Sequence, residues 1–334
     1  MDKKIFFAGN LFGDGGPMVV NRNLVKPLKK DISFVTCKNP YFRILETIYK
    51  ILSASIVIFS GVTRYDQITI PICKLFKKKI IYIMHGCLKI ENPLNGNYMN
   101  KRGIINEQSL MKNADLILCV STTFRNFIFK YYPQYSNKID VLTNGIDWEA
   151  LQITDISNNK KDPNKIILMG GGRRTKRNLI ICKAIQDINE HYGTHYHVAV
   201  YGSFSVNDDS KEISQIPCVT YHECIPRTQI LKELQQSQLY IQNSDFEPFS
   251  LGVIEALCCG CDILISQYVG AKDIITNLSD DDIIFDTTNI DHIKQRILQV
   301  MKKSNNNTLL NSIDKQKTSI ENRANQLINF ANQL

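Results

Sequence analysis

No stretch of this chain is apolar enough for long enough to cross a membrane. The most apolar uncharged run, Ile51 to Thr63, falls short of the roughly 20 residues a spanning helix needs. His191 to Asn207 is longer without a formal charge, but its histidines, serines and asparagine make it too polar to span. A signal-peptide pattern is also missing: Lys3 and Lys4 precede only a short apolar run, and Asn10, Asp14 and a Gly-Gly-Pro follow. Internal repeats are absent. So is the Gly-x-Gly-x-x-Gly fingerprint, which counts against a nicotinamide dehydrogenase. No histidine stands beside Cys258, Cys259 and Cys261, so their crowding at one helix end reads as packing rather than a metal site. No dense Asp or His cluster sits in the loop of the second half where a ligand is expected, and Asp208-Asp209 reads as a solvated turn.

What is present is the composition of a globular protein, 43% hydrophobic and 22% charged, with 334 residues that suffice for two ordinary domains. Ten cysteines are scattered at apolar positions such as Cys119, which suits reduced, buried thiols in a cytoplasmic protein. The net charge of +8 is uneven. Residues 1–160 hold 22 Lys+Arg against 12 Asp+Glu (+10), and residues 161–334 hold 18 against 20 (−2). Lys26, Lys29 and Lys30, then Lys74, Lys77, Lys78 and Lys79, form basic clusters. These fit an anionic partner (membrane, nucleic acid or acidic substrate) or a solvated basic face.

Apolar runs alternate with helical stretches along the chain. Lys4–Ala8, Ile32–Thr36, Ile56–Ser60, Ile80–Met84 and Ala114–Ser121 read as strands, with a helix over Tyr41–Leu52 and another capped near Ser121. Such alternation is the pattern of an α/β fold with a parallel sheet. Ligands gather at the carboxyl ends of such strands, where a glycine-rich loop (Gly9 to Gly16) and His85 both fall. A polar stretch, Thr154 to Asn164, reads as a linker. A second strand series begins at Lys165–Met169 and runs into Gly170-Gly171-Gly172-Arg173-Arg174-Thr175-Lys176-Arg177. Three glycines let the backbone turn, and four cations follow. Arginine grips phosphate as a fork and lysine as a point charge. Arg173 with Lys176, or Arg174 with Arg177, can form the working pair; the first is favoured.

Ser244 to Ser266 organises the rest. Pro248 disfavours helix at Glu247, placing that carboxylate in a loop. Ser250 stands as N-cap of an apolar helix that carries Glu255 in its second turn and stops near Gly260. A helix N-terminus suits an anion, whereas carboxylates accept hydrogen bonds from hydroxyls. Hydroxyls flanking a phosphate describe a nucleotide sugar.

Glu247 to Gly260 resembles the Glu-x7-Glu motif of retaining glycosyltransferases of family 4. Ala114 to Ser121 and Asn144-Gly145-Ile146-Asp147 are similar to further elements of that family. The resemblance implies a GT-B fold: α/β, with two Rossmann-like domains facing an interdomain cleft. The implied domains are 1–155 for the acceptor, 156–318 for the nucleotide sugar, and a C-terminal helix, 319–334, crossing back to the first. A retaining transfer from a nucleoside diphosphate sugar, UDP-sugar favoured, to a glycan or lipid-linked hydroxyl is implied, in cell-envelope polysaccharide assembly. Glu247 and His85 are the implied catalytic residues. Arg173, Lys176, Phe249, Ser250, Leu251, Glu255, Gly15 and Gly16 are the implied donor site, with Glu255 on the ribose and Glu247 on the sugar. No metal, no cofactor and no nucleic acid are implied, and the basic first half suggests a peripheral site on an anionic membrane. The loop Glu223–Pro226 lacks the glycine the family carries beside the base. A nucleotide-sugar epimerase and a non-catalytic GT-B subunit are the competing readings.

Overall fold

A computed structural model describes residues 4–13, 15–28, 32–96, 101–152 and 161–334. Asp14, Lys29, Lys30 and residues 154–160 of the expected linker lie outside the described residues. The chain divides into two compact units, residues 1–92, 97–147 and 315–334 in one, residues 93–96 and 148–314 in the other.

In the first unit, β1 (Ile5–Phe7), β2 (Ile32–Phe34), β3 (Ile56–Ser60), β4 (Lys79–Met84), β5 (Leu116–Cys119) and β6 (Ile139–Val141) form a wholly parallel sheet in the order β2-β1-β3-β4-β5-β6. β3 and most of β4 are continuous apolar runs, and their side chains are buried. This is the mark of strands covered on both faces. The helices are α1 (Gly16–Leu28), α2 (Pro40–Ser53), α3 (Asp66–Leu75), α4 (Leu88–Leu94), α5 (Lys101–Asn113) and α6 (Thr122–Tyr131). Local chemistry starts two of them. Asn39 Oδ1 accepts from the Tyr41 amide at 2.9 Å ahead of α2, with Pro40 at its first position. Ser121 Oγ accepts from the Phe124 amide at 3.0 Å to begin α6.

In the second unit, β7 (Asp162–Met169), β8 (His197–Tyr201), β9 (Val219–His222), β10 (Ser237–Gln242), β11 (Asp262–Ser266) and β12 (Ile283–Ile284) form a second parallel sheet in the order β12-β11-β10-β7-β8-β9. Its helices are α7 (Asn178–Tyr192), α8 (Ser210–Ile213), α9 (Arg227–Gln235), α10 (Leu251–Cys258), α11 (Ile290–Lys302) and α12 (Asn306–Asn311). Ile166, Leu168, Ile181, Ile185, Val198 and Leu264 anchor its core. The last helix, α13 (Ile320–Gln333), packs on α1 in the first unit. Arg323 fixes it by donating to the carbonyls of Leu142, at 2.5 Å, and Thr143.

Strand order positions the sites. The chain builds β7, β8 and β9 outward in one direction, then returns to lay β10 on the other side of β7. β7 and β10 therefore flank a topological switch point, where loops diverge and leave a crevice. β1 and β3 do the same in the first sheet.

Two sequence expectations need correcting. The thiols are not uniformly buried: Cys224 is exposed, and Cys37, Cys218 and Cys258 are half-buried. Cys259 and Cys261 do pack as core residues, their thiols donating to the carbonyls of Leu231 at 3.5 Å and Leu234 at 2.9 Å. Asp208-Asp209 is not a solvated turn either. Both residues are half-buried, and Asp208 Oδ1 accepts from the Ser210 amide at 2.9 Å and its hydroxyl at 2.6 Å. Burial raises the Asp209 carboxyl above its ordinary range, against the opposing pull of Arg174.

Candidate nucleotide-sugar site

At the end of β7 the backbone turns through Gly170 (φ +100°) and Gly171 (φ +59°), both in the left-handed region. A side chain at Gly171 would strike the Tyr221 hydroxyl, so glycine is needed for space as well as for φ. The turn is pinned from within. Asn178 Nδ2 donates to the carbonyls of Met169 at 3.2 Å and Gly171 at 2.8 Å, and the Gly172 amide donates to Tyr221 Oη at 3.2 Å. Arg177 takes the other left-handed position (φ +53°), at the junction between the 3₁₀ turn Arg174–Lys176 and α7.

This turn distributes the four cations. Arg173 and Lys176 both fold over Gly170, close enough that a Cβ there would sit 3.0 Å from an Arg173 guanidinium nitrogen and 2.9 Å from Lys176 Cγ. Arg177 instead faces Asp245, its Nε donating at 2.6 Å to a carboxylate whose other oxygen accepts from Thr287 at 2.6 Å. Arg174 lies 3.7 Å from Asp209. Arg173 also lines a cavity of about 480 Å³ together with Gly170, Tyr201, Gly202 and Ser203. Cys224 and Ile225, from the loop without the expected glycine, complete one wall.

The loop after β10 supplies the acids. Glu247 pairs in an isolated parallel bridge with Val269, and its carbonyl accepts from the Gly270 amide at 3.0 Å. Its carboxylate forms an ion pair with Lys176, both side chains being largely shielded from solvent. Gln242, the last residue of β10, adds a hydrogen bond from Nε2 to the same carboxylate oxygen at 2.8 Å. Gln242 Oε1 in turn accepts from Tyr240 Oη at 2.7 Å and from Ser250 Oγ at 2.5 Å. Lys176, Glu247 and Gln242 thus form one connected network across the loops of the two central strands.

Ser250 does not cap α10. It stands at the N-cap position with φ +77°, and its hydroxyl is turned away to Gln242. A non-glycine residue held there is strained, and such strain persists only where the surroundings over-determine it. Phe249 is buried, and Leu251 opens the helix. Glu255, in the second turn, is met by Arg227 Nε at 2.6 Å. Arg227, Gln242, Asn178 and Tyr221 were not legible as site residues. Each is a single polar residue whose role depends on strand register, though Gln242 had one signal in directly preceding the acidic motif.

In the first unit, Gly16 is the first residue of α1 and its Cα faces open space, while Gly15 packs beside Met18. His85 follows β4 and lines a cavity of about 480 Å³ with Tyr82, Gly86, Arg64 and Arg102. Hydrogen bonds fix its tautomer. Asn21 Nδ2 donates to the Asn10 carbonyl at 3.0 Å, which turns Asn21 Oδ1 to Ser60. Ser60 Oγ donates to that oxygen at 2.7 Å and so accepts from His85 Nε2 at 2.8 Å. The proton resides on Nε2, leaving Nδ1 as an acceptor. Burial, aided by the positive charge of Arg323, pushes the imidazole pKa down to about 3, so the ring stays neutral at physiological pH.

Two six-stranded parallel α/β units of this topology are the architecture of the GT-B class. The family described as Glycosyl transferases group 1 matches residues 151–319, and the chain belongs to it. A glycosyltransferase of Methanocaldococcus jannaschii, described as uncharacterized, is 23% identical over 244 residues, covering 69% of this chain and 60% of that protein. The matched part therefore spans less than two thirds of that relative. Anabaena HepE in complex with UDP-glucose superposes with a TM-score of 0.71 at 13% identity, covering 99% of this chain and 100% of the other. Sucrose-phosphate synthase from Thermosynechococcus elongatus gives 0.73 at 14%, covering 99% of each.

If Glu255 holds ribose hydroxyls, remote from the bond that breaks, its loss is felt equally in ground and transition states. Glu255→Gln is expected to raise the donor Michaelis constant and leave kcat near wild type. One charge-assisted contact of roughly 1.5–3 kcal/mol corresponds to about a tenfold to hundredfold weaker donor. Steady-state kinetics with donor calorimetry decides this, and a fall confined to kcat would remove Glu255 from the ribose.

Proposed function

We propose that this enzyme moves a glycosyl group from a UDP-sugar to a hydroxyl of a glycan or lipid-linked acceptor, with retention of anomeric configuration as in family 4. The observation that carries the reading is the convergence of Arg173 and Lys176 over Gly170, with Glu247 in contact with Lys176. The two cations meet the diphosphate and offset the charge that builds on it as the glycosidic bond breaks. The Glu247 carboxylate then faces the sugar and favours positive charge developing at the anomeric carbon. Glu255 takes the ribose, and Phe249, Ser250 and Leu251 present backbone to sugar and phosphate. The second unit is the donor domain. The first unit receives the acceptor, Gly15 and Gly16 are its contribution to donor binding, and the neutral His85 is its catalytic residue, whose Nδ1 can accept a hydrogen bond from a substrate hydroxyl.

UDP is favoured because the solved relatives in the comparison include one holding UDP-glucose. We place the reaction in cell-envelope polysaccharide assembly on the cytoplasmic side, with the basic first half held against an anionic membrane and nucleic acid excluded as a partner. No helix among the described residues is long and apolar enough to cross a membrane.

Protein-borne cations make a metal unnecessary in this reading. UDP-glucose and other nucleotide sugars, screened by thermal shift in EDTA, should yield at least one stabilising donor. A ligand at 100 times its dissociation constant adds about 2.7 kcal/mol of stability. Transfer measured with that donor should be unchanged by EDTA. Stabilisation by no nucleotide sugar would sink the proposal, and activity lost to EDTA and restored by magnesium or manganese would sink its metal-free part.

A further inference from the structure

The most amphipathic helix of the first unit is α2; Ile51 is buried and Ile44 and Ile48 are half-buried, but a second apolar strip of the helix is bare. Tyr41 (82% exposed), Phe42 (63%), Leu45 (62%), Tyr49 (72%) and Leu52 (43%) lie in water. At about 100° per residue these five positions fall within an arc of about 100°. No charged residue shares the arc. The one acid of the helix, Glu46, points elsewhere, holding the amides of Thr36 and Cys37 and forming an ion pair with Lys50 at 2.7 Å. Single exposed apolar residues are ordinary, but a contiguous face of large ones marks an interaction site.

The surroundings indicate which partner. α3 packs against α2, and Lys78, just beyond α3, donates to the carbonyls of Leu52 at 2.8 Å and Ala54 at 2.6 Å. The exposed Lys74, Leu75, Phe76 and Lys77 directly precede Lys78, and Phe76 and Lys77 line a cavity together with Ala54, the residue that ends α2. Exposed Lys38 stands just before its start. Aromatic and aliphatic side chains bordered by lysines, without acids, suit the headgroup boundary of an anionic bilayer. The opposite side of the helix carries Arg43 and Thr47, which line a cavity of about 550 Å³.

We propose that α2 is an interfacial anchor, its Tyr41–Leu52 face inserted into an anionic membrane so that the cavity behind Arg43 and Thr47 lies at the lipid surface. This rests on the membrane reading above and assigns it a surface, which charge alone does not do. A second copy of the chain is the competing occupant, but the bordering lysines would have to be desolvated against each other in such a pair.

Cosedimentation of the full chain with phosphatidylglycerol-containing vesicles and with pure phosphatidylcholine vesicles tests it, comparing wild type with Leu45→Glu/Tyr49→Glu. Wild type should partition to the anionic vesicles, and the double variant at least about tenfold less, a change of about 1.4 kcal/mol. Failure of wild type to bind would remove both the membrane reading and the anchor. Equal binding by the variant would keep the membrane reading, held by charge, and overturn the anchor. A wild-type dimer in light scattering that the variant abolishes would give the face to a second copy. Tyr49→Trp provides a readout independent of folding losses. It should show more quenching by lipids brominated in their acyl chains than the parent with Trp148 alone, and no added quenching would leave the face in water.

Discussion

Glu247→Gln is expected to lower kcat about a hundredfold while the donor Michaelis constant changes by far less. Removing one preorganised electrostatic group from an active site costs roughly 10²–10³ in turnover. Glutamine keeps the size of the side chain and one oxygen, so the loop with its bridge to Val269 should persist. What disappears is the negative charge that the proposal sets against the anomeric carbon, together with one arm of the contact to Lys176 and Gln242. Because that charge matters most when positive character develops on the sugar, the loss falls on the transition state. Steady-state kinetics and calorimetry with free UDP separate the possibilities. A variant with wild-type kcat and a raised donor constant would assign Glu247 to ground-state binding.

The contrast between Glu247 and Glu255 could be posed from sequence because Pro248 and the apolar run after it separate a loop acid from a helix acid. The glycine turn and cation run were legible for the same reason: they are local, and local chemistry is written in consecutive residues. The strand alternation likewise follows from periodicity: β3 keeps its expected ends and β1, β2 and β5 lose one or two positions at an end, whereas β7 starts three residues before Lys165, and the short edge strands β6 and β12 were not expected. Ser250 shows where such reading stops. Its residue type favours a cap, but φ +77° and the hydrogen bond to Gln242 are imposed by β10, eight residues earlier. Arg227 and Asn178 were hidden in the same way. Arg227 opens a helix 28 residues before the acid it binds, and Asn178 closes a turn whose shape exists only once Gly170 and Gly171 adopt positive φ. The bare face of α2 is a different case. Its periodicity is plain in the sequence, but which side packs on the sheet is decided by tertiary contacts.

Lys176 supplies the other large effect, and its pairing with Glu247 makes the outcome more than a lost contact. Lys176→Met should weaken UDP binding by about tenfold to a hundredfold, the equivalent of one charge-assisted contact of roughly 1.5–3 kcal/mol. It should also lower kcat, because Glu247 loses the cation that fixes its carboxylate and, among the described residues, keeps only Gln242 as a side-chain donor. The two residues lie in one network, so their effects should not add. If Lys176 acts on turnover chiefly by positioning Glu247, the double variant Lys176→Met/Glu247→Gln should show a kcat close to that of Glu247→Gln alone. Its UDP affinity should stay near that of Lys176→Met, because the proposal assigns the diphosphate contact to the lysine. Arg173→Ala is the comparison: it lies over the same glycine without a bond to Glu247, so it should weaken UDP and combine additively with Glu247→Gln. A double-mutant cycle on kcat and on UDP affinity measures both terms. Additive losses in kcat for Lys176 and Glu247 would show that the ion pair is a resting contact that substrate dissolves, with each residue then acting on its own part of the donor.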